Sequence, residues 1–324
     1  MSDKRILDII ASPADLKLLS NEELSILAGE IRHEIVTTTS KTGGHVASSL
    51  GAVEIILALH SLLDCPKDKI VFDVGHQAYA HKLVTGRLKD FGTLRTYGGL
   101  SGFPKPSESP YDVHYYGHAS DSLSVALGLA EARDLAGAGD AALSGGMAFE
   151  ALNNIGQAQT PMVIILNDNE MSISHNVGAL MKHLGYMRAS SQYRQARDNV
   201  QEHLESSGPV GKAITNFGRS MKESMKQFVI PHSMIFEQLG IVCTAPIDGH
   251  NIAQLRETLR AVLNADGPVL MHVVTRKGQG YMPAVRNPEK FHGIAPYNIA
   301  TGEVIKSGKP SAPKYTNVFG KALV

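Results

Sequence analysis

The chain has 324 residues, 43% apolar and 19% charged, with 31 basic residues balancing 31 acidic ones. A chain of this length and composition buries a full core, and its even charge offers no basic surface for nucleic acid. No apolar run reaches the ~18 residues of a membrane span, and the opening "MSDKRILDIIASPADLK" has no signal-peptide pattern. Cys65 and Cys243 stand far apart and in no metal-ligand spacing. The expectation is a cytoplasmic globular protein with two reduced thiols, no nucleic-acid partner and no membrane contact.

In chain order, "LSNEELSILAGEIRHEIVTTT" comes first. Ser20 and Glu23 form a capping box there, and Leu24, Leu27, Ile31 and Ile35 recur at helical spacing. "SSLGAVEIILALHSLLD" reads as a second, more apolar helix, and "KIVFDVGHQ" as a short buried strand ending in polar residues. "DSLSVALGLAEARDLAG" and "MAFEALNNIGQA" read as helices, and Met162 to Leu166 in "TPMVIILNDNEMS" as the clearest strand. A polar, helix-prone section over about 180–228 reads as two amphipathic helices, inserted at the sheet's periphery or forming an interface. "GIVCTAPIDGH" and "PVLMHVVTRKGQG" repeat the strand pattern around the helix "NIAQLRETLRAVLNA". Continuous apolar strands alternating with helices predict an α/β fold, a parallel sheet with helices on both faces. One domain is expected over 1–305. At 306–324 a Pro/Ser/Lys-rich linker leads into the first turns of a further helix, which reads as the start of a domain missing from this chain.

Four expected strands end in "DVGHQ", "NDNEM", "IDGH" and "RKGQG". Ligands of open parallel sheets bind beyond the carboxyl ends of the strands, so these loops predict one site. Asp140, in "LAGAGDAALSGGM", and Asn169 are separated by one helix and one strand, so neighbouring strand ends would carry them. Hard oxygen ligands of this kind suit Mg²⁺ or Ca²⁺, and "SGG" ahead of Met147 would let backbone N–H groups approach an anion. The same residues also suit helix caps and turns. His45, His76, His81, His118 and His292 lie in loops of Gly or small polar residues. Such a set points to proton transfer or hydrogen bonding near neutral pH, although a lone loop histidine is more often a surface residue. A zinc site is not expected.

Eight segments, in order, carry a resemblance: "GGHVASSLGAVEIILALH", "FDVGHQAYAHKLVTGR", "GGLSGFPKPSESPYDV", "GHASDSLSVALGLA", "GDAALSGGMAFEALNN", "ILNDNEMSISHNVGAL", "IDGHN" and "TRKGQGYMPAVRNPEKFHG". Together they resemble the amino-terminal half of the 1-deoxy-D-xylulose-5-phosphate synthase family, transketolase-like enzymes dependent on thiamine diphosphate. The resemblance implies a diphosphate-binding domain and Mg²⁺ held by Asp140, Asn169 and the Met171 carbonyl. It places the cofactor against His76, Gly117, His118, Ala119, Ala141, Ala142, Asn169 and Tyr281, with His45, His76 and His292 as catalytic residues around the reacting carbon. The implied reaction joins pyruvate, after loss of CO₂, to D-glyceraldehyde 3-phosphate, in isoprenoid and thiamine biosynthesis. Homodimerisation, or pairing with a pyrimidine-binding half that carries a catalytic glutamate, would complete the site. The chain alone is expected to be inactive. Two alternatives are the amino-terminal subunit of a split transketolase and a non-catalytic cofactor-binding or interaction fragment.

Three departures from the family pattern stand out. The metal motif reads Gly-Asp-Ala, and Asp121 places an acid near the diphosphate. More consequentially, "EARDLAGAGDAAL" reaches Asp140 with no β-branched residue where the family has an apolar strand. The expectation is that about one central strand is absent, leaving a gap that a short Ala/Gly linker does not fill.

Overall fold

A computed structural model of the protein describes residues 5–133, 137–140, 146–169, 171, 234–305 and 315–323. Expectations for the inserted helices (about 180–228), for Ala141 and Ala142, and for the linker at 306–314 lie outside these residues.

Two capped helices open the fold. α1 (Pro13–Leu16) starts with proline behind a Ser12/Asp15 capping box. α2 (Asn21–Thr42) carries the predicted box: the Glu23 N–H donates to Ser20 Oγ at 3.1 Å, and the Ser20 N–H to Glu23 Oε2 at 2.8 Å. The apolar helix expected next is two, α3 (Val46–Gly51) and α4 (Val53–Leu62), which share Ala52 as a non-helical joint. All residues from Val46 to Ser61 are buried, which accounts for their lack of a polar stripe.

β1 (Lys69–Val71), α5 (Tyr79–Lys82), α6 (Ser122–Arg133), β2 (Gly137–Asp140), α7 (Gly146–Ala158) and β3 (Val163–Asp168) follow. After them come β4 (Val242–Cys243), β5 (Ile247–Asp248), a helix at Ile252–Val262 and β6 (Val269–Val274). Among the described residues every strand pairing within the sheet is parallel; the sheet order is β1-β2-β3-β6-β4, with β5 also paired to β6. Alternate residues divide the core. Val163, Ile165, Val269, Met271 and Val273 join α2, α4 and the Ile252–Val262 helix on one face. Ile164, Leu166 and Leu270 join α6 and α7 on the other. The protein is therefore an α/β sheet with helices on both faces, as its periodicity predicts.

The expected gap ahead of Asp140 is filled. Gly137–Asp140 forms the strand between β1 and β3, because parallel pairing uses backbone groups that glycine and alanine possess like any residue. A cavity of about 20 Å³ remains between α4 and the flanking strands, bordered by Ile55, Ile56, Ile70, Phe72 and Ile165. The strand nonetheless carries its residues to an unexpected level. Asp140 pairs with Ile165, and Gly139 with Val71. Asn169 stands four residues beyond Ile165, about 13 Å further along the strand direction at the usual rise per residue.

Candidate functional site

Three segments bring His45, His76 and His292 together. The Gly44 N–H donates to the Ile294 carbonyl at 2.8 Å, and the Ile294 N–H to the Gly44 carbonyl at 3.0 Å. The first amides of α3, Val46 and Ala47, both donate to the Phe291 carbonyl, so otherwise unpaired helix-start donors anchor the segment beside His292. The His45 N–H donates to Tyr79 Oη at 3.1 Å, and Ser49 Oγ to the His76 carbonyl at 3.0 Å. Gly44 has φ +155°, and a Cβ there would lie 2.8 Å from Tyr79 Oη. Only glycine allows this approach.

The resulting ring centroids are 5.6 Å apart for His45 and His76, 6.0 Å for His45 and His292, and 5.1 Å for His76 and His292. Burial pushes His45 down to about 4, helped by the positive charge of Arg95 and by the nearness of His292, which disfavours a second imidazolium. His76 is pushed down to about 3, again chiefly by burial, then by His292, His45 and Lys277. His292 is lowered by burial and Lys277. All three imidazoles are therefore neutral at pH 7, each able to accept one hydrogen bond and donate another. The Nδ1 atom of each is buried with no hydrogen-bond partner among the described residues. Three neighbouring rings each keep one ring nitrogen without a partner among the described residues, a state that asks for an explanation in a buried polar group.

The Gly117–Ala119 loop lies beside the His76 loop. The Val74 N–H donates to the His118 carbonyl at 3.1 Å. Buried Asp73 accepts the Ser120 N–H at 2.9 and 3.0 Å and the Ser122 hydroxyl at 3.1 Å, fixing the start of α6 against the end of β1. Val74 (φ +58°) and Ser120 (φ +73°) are left-handed without being glycine, a strain that persists where surroundings over-determine the backbone. His76, Gly117, His118 and Ala119 thus share one edge, with residues 117–119 exposed.

The metal side is built differently. Asn169 Oδ1 accepts the Met171 N–H at 3.2 Å, closing a local turn beyond β3. Asp140 ends β2 opposite Ile165, inside the body of the sheet. Asp140 and Asn169 are on neighbouring strands as expected, but at levels about 13 Å apart, whereas Mg²⁺ demands oxygen ligands at about 2.1 Å. In this register the backbone of Asp140 stands well short of Asn169's level. No cluster of three or more His, Cys, Asp or Glu among the described residues suits a metal.

Several other residues take supporting roles. Tyr281 donates its hydroxyl to the Ile299 carbonyl at 2.7 Å and packs on Phe291 and Tyr297, behind His292. In "IDGH", His250 Nδ1 meets Glu54 Oε2 at 3.1 Å while Nε2 accepts the Arg276 N–H at 2.9 Å, latching the "RKGQG" loop to α4. His81 is not at the site; it is buried against His60 and Asp112. Asp121 lies 3.6 Å from His114 Nε2. Two cations that the sequence did not single out face the histidines: Arg95, acting on His45, and Lys277, acting on His76 and His292 and itself lowered to about 8 by burial. Lys277 sat in a loop already marked as a strand end, whereas nothing in "GTLRT" marks Arg95.

A family model described as 1-deoxy-D-xylulose-5-phosphate synthase matches residues 7–275. Among curated proteins, the 1-deoxy-D-xylulose-5-phosphate synthase of Pelotomaculum thermopropionicum is 47% identical over 99% of this chain and 51% of its own length. 1-Deoxy-D-xylulose-5-phosphate synthase 2 of Geobacter sulfurreducens is 50% identical over 98% of the chain and 52% of its own length. The chain therefore spans about half the length of these relatives. Among solved structures, transketolase from Campylobacter jejuni aligns with a TM-score of 0.59 at 19% identity, over 84% of this chain and 40% of that one. Transketolase from Leishmania mexicana aligns with a TM-score of 0.59 at 17% identity, over 87% and 40%. At those identities the likeness establishes the fold alone.

Proposed function

From membership in the 1-deoxy-D-xylulose-5-phosphate synthase family, to which this chain belongs, we propose that it is the diphosphate-facing half of such a synthase. The family comprises thiamine-diphosphate-dependent transferases. The observation that carries the reading is the convergence of His45, His76 and His292, neutral at pH 7 and each with an unpaired ring nitrogen. For the whole protein the proposed reaction joins pyruvate, after loss of CO₂, to D-glyceraldehyde 3-phosphate, within a homodimer or against a pyrimidine-binding half.

This chain's share of that work follows from its own groups. Neutral imidazoles offer one N–H donor and one ring-nitrogen acceptor each, which suits holding and orienting a substrate, and take up a proton only as a reacting group delivers it. Arg95 and Lys277 bring positive charge to the same space, which suits the carboxylate of one substrate and the phosphate of the other. The exposed Gly117–Ala119 backbone beside His76 suits a diphosphate.

The Asp140–Asn169 register favours a second reading, that the chain as it stands is a non-catalytic member. Calorimetric titration with thiamine diphosphate, with and without Mg²⁺, separates the two. The natural chain is expected to show no Mg²⁺-dependent heat. A variant with four Val or Ile residues inserted directly ahead of Gly137 is expected to show it, and to lose it on Asp140→Ala. Absence of binding in the insertion variant would sink the diphosphate-half reading. Asp140-dependent binding by the natural chain would instead restore the metal pair.

A further inference from the structure

Between Arg95 and Tyr116 the chain makes a long excursion with no regular secondary structure of its own, yet it lies against the histidine wall. Phe103, within it, packs on His45 with ring centroids 5.3 Å apart. Pro104 and Tyr116 close over Gly75, where any Cβ would meet them at 2.8–2.9 Å. We propose that Asp112 and Glu108 are positioning residues, which fold this excursion onto α5 through a buried ionic cluster and thereby seat Phe103 against His45.

The two carboxylates are used in the same way. Glu108 accepts the Ser101 N–H at 2.7 Å and the Lys82 ammonium at 2.6 Å. Asp112 accepts the Lys105 N–H at 2.7 Å and both guanidinium nitrogens of Arg87, at 2.6 and 3.0 Å. Each carboxylate therefore bonds an amide seven residues upstream and, with its second interaction, a cation on or just after α5. Phe103 lies between the two tethered amides, Ser101 and Lys105. An excursion without helix or strand leaves its backbone donors to be satisfied otherwise, and these carboxylates do so at the two points that bracket Phe103.

The cluster continues into two histidines. Asp112 Oδ1 meets His81 Nε2 at 2.9 Å, and His81 Nδ1 meets His60 Nε2 at 2.8 Å. Lys82 and Arg87 balance Glu108 and Asp112, so both histidines are accommodated neutral. His81 then donates to Asp112, and His60 donates to His81. Burial lowers both His60 and His81, in keeping with that assignment. His60, His81, Lys82, Arg87 and Asp112 are all buried. The two cations and two carboxylates of this cluster are paired with one another, and removing one member leaves a buried charge without its partner.

His45 is faced by His76, His292, Tyr79, Phe103 and the charge of Arg95, and neither Asp112 nor Glu108 acts on it directly. That separation makes its imidazole titration, followed by NMR on the 324-residue chain, a suitable readout. Loss of a negative charge at Asp112 would, by electrostatics alone, lower a histidine midpoint. Release of Phe103 lets water reach His45 and raises it. We expect Asp112→Asn to move the His45 midpoint upward from about 4 by roughly one pH unit or more, and Glu108→Gln to move it less, in the same direction. Phe103→Ala should reproduce the rise with the ionic cluster intact. An unmoved or lowered His45 midpoint in folded Asp112→Asn overturns the proposal. If that variant does not fold, the same result in Glu108→Gln or in Phe103→Ala overturns it.

Discussion

β1 and β2 are neighbours in the sheet, and their carboxyl ends are built to very different standards. Beyond β1, Asp73 collects three hydrogen bonds, His76 is tied through its carbonyl to Ser49, and the cluster around Asp112 holds α5. Beyond β2, the strand stops opposite Ile165, and Asp140 remains four residues short of Asn169's level. Both strands have correct backbone pairing. They differ in how much chain is supplied before the functional residue. A sheet accepts any backbone in a vacant slot, yet the level a residue reaches is set by the number of residues leading to it.

Substitutions on the two sides test this contrast. A large effect is expected on the well-built side: Asp112→Asn leaves the buried Arg87 guanidinium without its bidentate carboxylate, with only Glu108 at 3.8 Å, and should cost ~3–5 kcal/mol, measured by denaturant unfolding. On the other side, the four-residue insertion ahead of Gly137 should raise affinity for Mg²⁺–thiamine diphosphate by at least 100-fold, about 2.8 kcal/mol. Calorimetry that showed equal binding with and without the insertion would erase the contrast. Gly44→Ala is intermediate, because it forces a side chain into a left-handed position against Tyr79 Oη. A loss of ~1–3 kcal/mol is expected, with weaker coupling between the Gly44 and Ile294 segments seen in amide exchange.

A pH dependence confined to the histidine wall sharpens the contrast without touching either strand. His45 and His76 have folded values of about 4 and about 3, below the ordinary 6.5 of the unfolded chain. Between those limits the unfolded state binds more protons, so stability rises with pH and falls as pH drops through 6.5 toward 4. The double variant His45→Gln/His76→Gln should flatten this slope in unfolding midpoints measured from pH 7 to pH 4. An unchanged slope would show that the wall is not buried and neutral.

Some of this was legible in advance for plain reasons. Ser20 and Glu23 announce the start of α2, and the apolar runs at Met162–Leu166 and Val269–Val274 announce buried strands, because both signals are local. Gathering of strand-end loops at one edge follows from parallel topology, and His76 with Gly117–Ala119 is there. Long-range relations were not legible. No spacing tells that Gly44 pairs with Ile294, that Arg95 faces His45, or that His81, one turn from His76, points away into an ionic cluster. The approach to Asp140 lacks β-branched residues, which predicts a gap that the backbone pairing of Gly137–Asp140 closes.

The residues by themselves determined the α/β class, the family, and the histidines available for proton transfer, because these depend on residue type and order along the chain. Tertiary structure decided that the Gly/Ala segment enters the sheet, that Asp140 lies at Ile165 rather than Asn169, and that a buried carboxylate holds Phe103 on His45. Those outcomes depend on which vacant backbone positions and which buried charges the rest of the fold leaves to be satisfied, and neither is written in any local stretch of sequence.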